Sequence, residues 1–186
     1  MKTAFILRSI DRMNERKKQT GADFLFAEGT AVPLFGKEYI LHITSEGRSH
    51  IDGNQLILSL KKTEEPKNRK EAFKRFAENE LRVYALEAFE KTLPLFGPEV
   101  TDLPTLKLYT MRARWGSCRP KSAQITLNTR LVFYPKAYVD YVIAHEFTHL
   151  LHANHSQAFY KALALRMPDW ESRRKALNAA PMTEYF

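Results

Sequence analysis

Residues 144–155 read AHEFTHLLHANH and carry four of the six histidines in a chain of 186 residues. His145 and His149 are four apart. On a helix they project from one face, one turn apart. Two imidazoles so placed can reach one zinc ion at about 2.0–2.1 Å. Glu146 follows the first of them and stands beside the pair, where it can take a proton from a water at the metal. This is the H-E-x-x-H pattern, and it points to zinc-assisted hydrolysis with Glu146 as general base.

A catalytic zinc site of this kind has three protein ligands and one open position. His152 and His155 are the local choices for the third. His152 stays on the same helix face but lies a further turn along, where three rings on one unbroken helix do not easily converge. His155 follows a chain break expected at Ala153-Asn154 and can swing back over the other two, so it is the preferred ligand. A polar patch inside a core is the competing explanation. Against it, the surrounding helix is apolar nearly all round (Tyr138, Val139, Tyr141, Val142, Ile143, Phe147). A carboxylate buried there is costly without a cation or hydrogen-bond partners.

Working outward, Pro135 sits where that helix should begin, because its missing N–H costs nothing in the first turn. Asn154 is read as a left-handed stop. Ser156 is read as the cap of a further helix over 157–167, with Pro168 dividing it from a last helix over 169–179. Upstream, 105–115 (TLKLYTMRARW) reads as a strand apolar on both faces, paired with 123–128 (AQITLN) through a hairpin-like GSCRPKSA connection. A long helix is expected from about 69 to 92, with Phe73, Phe76, Ala77, Leu81, Tyr84, Ala88 and Phe89 on its apolar positions and Pro94 and Gly97 ending it. The charged segment 61–68, containing Pro66, is the best linker. Before it, ADFLFA, TAVPLF, EYILHIT and NQLILSL read as strands of an antiparallel meander, punctuated by Gly29, Gly36, Gly47 and the turn at 52–54. Residues 10–19 read as a short polar helix or a loop.

The expectation is therefore an α+β protein, with an N-terminal β-rich part over 1–64 and the metal-bearing domain over 65–186. Its 44% hydrophobic residues suffice for a packed core, and its longest apolar runs are too short to span a bilayer. No membrane partner is expected. The charged N-terminus shows no secretory leader, and Cys118 is the only cysteine, so a reducing cytoplasmic location is the default. The formal net charge of +8 allows a nucleic-acid partner through a basic surface. The basic groups Arg12, Arg16, Lys17, Lys18 and 61–75 are not interleaved with aromatics as a nucleic-acid motif would be.

RARWGSC (112–118), ITLNTRLVFYP (125–135), YVIAHEFTHLLHANHSQAF (141–159) and MPDW (167–170) together resemble the YgjP-like metallopeptidase family, which is related to the SprT-like and WLM zinc peptidases. The resemblance covers roughly 70–180 and extends to the N-terminal strands. It implies a compact zincin-like fold, a small antiparallel sheet packed on a metal-bearing helix, and Zn2+ as cofactor. It also supplies the third ligand from an N-H-S segment, here Asn154-His155-Ser156, which favours His155. By the same resemblance, Arg114, Trp115, Gly116 and Ser117 belong to an edge strand that binds a peptide or protein substrate, with Gly116 permitting close approach. Trp115 reads equally well as core packing. Cys118 reads as a buried structural cysteine, with a zinc-bound thiolate as the alternative, and Asn128 and Arg130 as supports of the site. Tyr160, His152 and Arg114 are the candidates to stabilise an oxyanion. The second functional reading is a basic module, binding nucleic acid or protein, in which zinc is structural and fully enclosed by four ligands.

Overall fold

The computed structural model describes residues 26–61 and 65–180. The possible helix at 10–19 and the first part of ADFLFA lie outside those residues. The described chain is mixed α+β and divides into two compact units. The first comprises residues up to 80 together with Val132–Tyr134, and the second Leu81–Leu131 with Pro135–Ala180.

The first unit holds a four-stranded sheet of β1 (Ala31–Leu34), β2 (Lys37–Thr44), β3 (His50–Asp52) and β4 (Gln55–Ser59), in the order β1-β2-β4-β3. Phe35 and Gly36 both have positive φ (48° and 73°), the backbone of a two-residue hairpin turn whose twist suits the antiparallel β1–β2 pair. Pro33 is tolerated because β1 is an edge strand. The expected meander fails at the next step. β4 runs parallel to β2, because the chain first lays down β3 on the far side and returns between them through Gly53. Val32, Leu34, Leu41, Leu56 and Leu58 are fully buried beneath this sheet, and the ring of Phe73 packs 5.0 Å from Phe26 and 6.4 Å from Phe133.

The helix α1 (Pro66–Phe96) contributes its first half to this unit and its second to the other. It begins inside the segment read as a linker, with Pro66 in the first turn, where proline fits. It also runs through Pro94 instead of stopping before it. The carbonyl left without a partner belongs to Glu90, which is solvent-exposed, while Phe96 in the last turn is fully buried and holds the turn down.

The second unit carries the site. Its sheet consists of β5 (Thr105–Tyr109), β6 (Gly116–Arg119) and β7 (Gln124–Asn128), in the order β5-β7-β6. The sheet is not purely antiparallel as expected: β5 is parallel to β7, and only β6 is antiparallel to it. The strand read at 105–115 ends at Tyr109, and β5 has one apolar face, since Thr105, Lys107 and Tyr109 are exposed. The supposed hairpin connection GSCR is itself the edge strand. The real reversal is the 3-10 turn Pro120–Ser122, closed by Ala123 in the left-handed region (φ 44°).

Three helices complete the unit: α2 (Lys136–Leu151), α3 (Gln157–Arg166) and α4 (Trp170–Ala179). The helix α2 packs against β6, β7, α3 and α4 and is buried on most sides, as its all-round apolar sequence requires. Phe147 meets Phe89 edge-on at 5.1 Å and Phe96 at 5.5 Å. Pro135 proves to be the residue capping α2, just outside its first turn. The far end does not use a left-handed Asn154; His152 terminates it in an extended conformation (φ −131°, ψ 107°). Ser156 caps α3 as expected, its Oγ accepting from Phe159 N at 3.4 Å. Among the described residues, no helix is long and apolar enough to cross a membrane.

Candidate metal centre

His145 and His149 lie one turn apart on α2, and His155 lies in the short loop that leads to α3. The three histidines place ring nitrogens within 4.8 Å of one another, a group that could hold a metal ion. Nε2 of His155 is 3.0 Å from Nε2 of His145. A tetrahedral ion with bonds of about 2.0–2.1 Å sets neighbouring donors roughly 3.3–3.4 Å apart, so this spacing needs only a small adjustment. His152 and Cys118 are outside the group.

The end of α2 also orients the second ligand. The His152 backbone leaves the helix, and its carbonyl accepts a hydrogen bond from His149 Nδ1 at 3.0 Å. A carbonyl only accepts, so the proton sits on Nδ1 and the Nε2 lone pair is free to bind a cation. Nδ1 of His145 is buried with no hydrogen-bond partner, so that ring's polar contact lies on the cluster side alone. Beneath all three imidazoles lies the fully buried ring of Phe159, with centroid distances of 4.9, 4.7 and 4.8 Å to His145, His149 and His155.

Burial keeps His145 and His149 in their ligand form. Burial, reinforced by His149, His155 and Arg174, pushes His145 down to about 3. Burial also lowers His149. Neutral imidazole is the species a metal takes. Glu146 is only 5% exposed, and burial pushes its carboxyl up to about 8, against the opposing pull of Arg114. A cation nearby would reverse that penalty. The histidine donor set and the buried carboxyl beside it therefore suit a divalent metal.

These groups open into a cleft of about 590 Å³. Arg114, Trp115, Gly116 and Ser117 all line it, Gly116 and Ser117 as the first residues of β6 and the other two just before it. The strand β6 is the sheet edge nearer α2. Trp115 is half-buried, and Arg114 is exposed. On its α2 side Gly116 is closely approached by the helix: a Cβ there would stand 2.6 Å from Glu146 Oε1 and 2.8 Å from Val142 Cγ1. Cys118 lines the cleft as a half-buried thiol pushed up to about 12, first by burial and then by Glu146, and it stands outside the histidine group.

The segment entering β6 is held by Asn128, which is fully buried. Its Nδ2 donates to the carbonyls of Met111 (2.8 Å) and Arg114 (2.7 Å), and its backbone N–H donates to Trp115 O (2.9 Å). Arg130 adds a bond from its Nη1 to Met111 O at 2.9 Å. Tyr160 and Arg114 border the cleft, whereas His152 does not. Sequence reasoning missed Tyr141, Phe159 and Arg174. Tyr141 is four residues before His145, a helical spacing that could have revealed it. Arg174 comes from α4 with no local signal.

Three convergent imidazoles and a buried carboxyl line one cleft, a donor set that could hold a metal ion, and the sequence comparison names the class. The profile of the YgjP-like metallopeptidase domain matches residues 1–180. The chain belongs to the YgjP-like family, which places it among metallopeptidases. No curated protein matches it. Among solved structures, the metallopeptidase zymogen of Pyrococcus abyssi abylysin is similar over 53% of this chain and 99% of its own, with 17% identity and a TM-score of 0.44.

Proposed function

We propose that the protein is a zinc-dependent peptidase with His145, His149 and His155 as ligands and Glu146 as general base. The convergence of those three imidazoles beside a buried carboxyl carries this reading. Among the described residues three nitrogen donors converge with no fourth protein ligand, which suits catalytic zinc with its one open position. When bound, the metal supplies Lewis acidity, acidifying water toward a pKa of ~7 and polarising the substrate carbonyl.

The chain's own groups do the rest. Glu146 accepts the proton of the attacking water and delivers it to the departing amine, a task for a buried carboxyl that a nearby cation keeps ionised. An extended peptide pairs with the free edge of β6, so that Gly116 and Ser117 hold the substrate backbone and Arg114 and Trp115 flank it. Tyr160 is the favoured donor to the oxyanion. Arg174 Nη1 donates to its hydroxyl oxygen at 3.4 Å, which leaves the Tyr160 proton available to the substrate.

The competing reading, a nucleic-acid or protein-binding module around structural zinc, needs a fourth ligand, and neither Cys118 nor His152 joins the cluster. The deciding experiment is Glu146→Gln. Elemental analysis should show the parent's zinc content, and cleavage of a peptide library should vanish. A variant that cleaves at the parent's rate sinks the mechanism.

A further inference from the structure

The charge in the cleft is lopsided. Two arginines line it, Arg114 from the segment before β6 and Arg174 from α4, and its one carboxyl is the buried Glu146. Neither arginine forms an ion pair with a described carboxylate; the ion pairs of α4 involve the neighbouring Arg173, with Asp140 and Asp169. Both arginines are exposed, yet Arg174 is not loose. It lies 5.8 Å over the Tyr160 ring and 6.0 Å over the Trp170 ring, and it donates to the Tyr160 hydroxyl. Those two rings stack at 5.0 Å, and Tyr160 in turn stacks on His155 at 6.1 Å. An aromatic shelf thus runs from the metal ligand to an unpaired guanidinium. The distance is two ring contacts, a reach of a few residues of extended peptide at roughly 3.4 Å each.

We infer that the cleft prefers peptides carrying a carboxylate within a few residues of the bond to be cut, and that Arg174 receives it. This rests on the proposal that the cleft binds peptide. A guanidinium anchored beside aromatic rings by one hydrogen bond to Tyr160 keeps further N–H donors for pairing with a carboxylate, and that anchor reduces the side-chain freedom lost on binding. The carboxylate is that of an aspartate or glutamate side chain or of the peptide's C-terminus.

The test separates recognition from chemistry. Fluorescein-labelled octapeptides, with Glu or Gln at the central positions and with free or amidated C-termini, are titrated against Glu146→Gln protein in zinc-containing buffer and followed by anisotropy. Carboxylate-bearing peptides should bind about 10-fold or more tightly than their neutral isosteres, as expected for a hydrogen-bonded charge. Arg174→Gln should abolish the preference, Arg174→Lys should keep part of it, and added salt should weaken it. A preference for Glu that survives amidation identifies the side chain; one that follows the free C-terminus identifies a carboxypeptidase-like subsite. Equal binding of all peptides, no binding of any, a preference unchanged by Arg174→Gln, or tighter binding of a single-stranded oligonucleotide at Arg174 overturns the inference. Retained preference with no cleavage by the parent enzyme sinks the peptidase reading alone, and cleavage without preference sinks this one alone.

Discussion

Gly116 on β6 lies directly against Glu146 on α2, so closely that a methyl group at 116 would stand 2.6 Å from the carboxyl oxygen Oε1 and 2.9 Å from Cγ. The edge strand and the proposed base are therefore positioned by each other. Gly116→Ala should displace the carboxyl while leaving the three imidazoles, none of which is among the nearest atoms, able to hold metal. A misplacement of about 1 Å costs on the order of 100-fold in rate. Elemental analysis should show unchanged zinc, and peptide hydrolysis should fall by roughly that factor. Parental activity in this variant would show that the contact has no bearing on catalysis.

Two of the shifted groups at the site, Glu146 and His145, predict an unusual pH profile for the metal-free protein. Glu146 is raised from its ordinary 4.5 to about 8, so its contribution to stability is present below 4.5 and is lost as pH rises toward 8. His145 is lowered from 6.5 to about 3, so its contribution is present above 6.5 and is lost as pH falls toward 3. The two slopes oppose between 4.5 and 6.5, and only the glutamate acts between 6.5 and 8. In EDTA, the parent should lose about 2 kcal/mol over that upper window relative to Glu146→Gln. Added zinc should remove the difference by holding the carboxylate ionised. Denaturant melts at pH 6.5 and 8 give the measurement, and parallel profiles for parent and variant would contradict the assignment.

Asn128 offers a test remote from the chemistry. Its side chain donates to two carbonyls of the segment before β6, and its Oδ1 accepts from Arg130 N at 3.1 Å. Asn128→Ala would leave these groups buried or unpaired, at a cost of about 2–4 kcal/mol for several hydrogen bonds. It should also loosen Arg114 and Trp115, so that peptide affinity drops further than the stability loss explains. Asn128→Asp should be at least as damaging, because a carboxylate cannot donate to either carbonyl. A melt within about 0.5 kcal/mol of the parent would argue against the clamp.

What the sequence revealed followed the range of the interactions involved. His145, Glu146 and His149 are fixed by helical spacing, and the burial of α2 by its unbroken apolar surface, so both were legible. His155 was legible from a chain break a few residues on, although the break is made by an extended His152 and not by a left-handed Asn154. The sheet was not legible. Pairing of β5 with β7 is parallel and depends on where β6 lies, and GSCR looks like a turn until Asn128 and the Ala123 reversal place it as an edge. The end of α1 was misread because burial of Phe96 outweighs the local cost of Pro94. Arg174 had no local cue, since its meaning comes from a stack formed across α3 and α4.

Phe159 makes the last prediction, because one apolar ring supports the whole donor set. It is fully buried and within 5 Å, centroid to centroid, of His145, His149 and His155. Its backbone N–H is also the group that Ser156 caps, so the residue ties the loop bearing His155 to the start of α3. Phe159→Ala should destabilise the fold by about 3–5 kcal/mol through the cavity it leaves. Phe159→Leu keeps most of the volume and should cost less, yet it removes the flat face on which the rings rest. In that variant, zinc affinity should fall about 10- to 100-fold, the range seen when groups that orient ligands are lost. Competition with a chromogenic chelator measures it in protein first shown to be folded. Zinc affinity equal to the parent's in folded Phe159→Leu would mean that the imidazoles hold their positions without the ring beneath them.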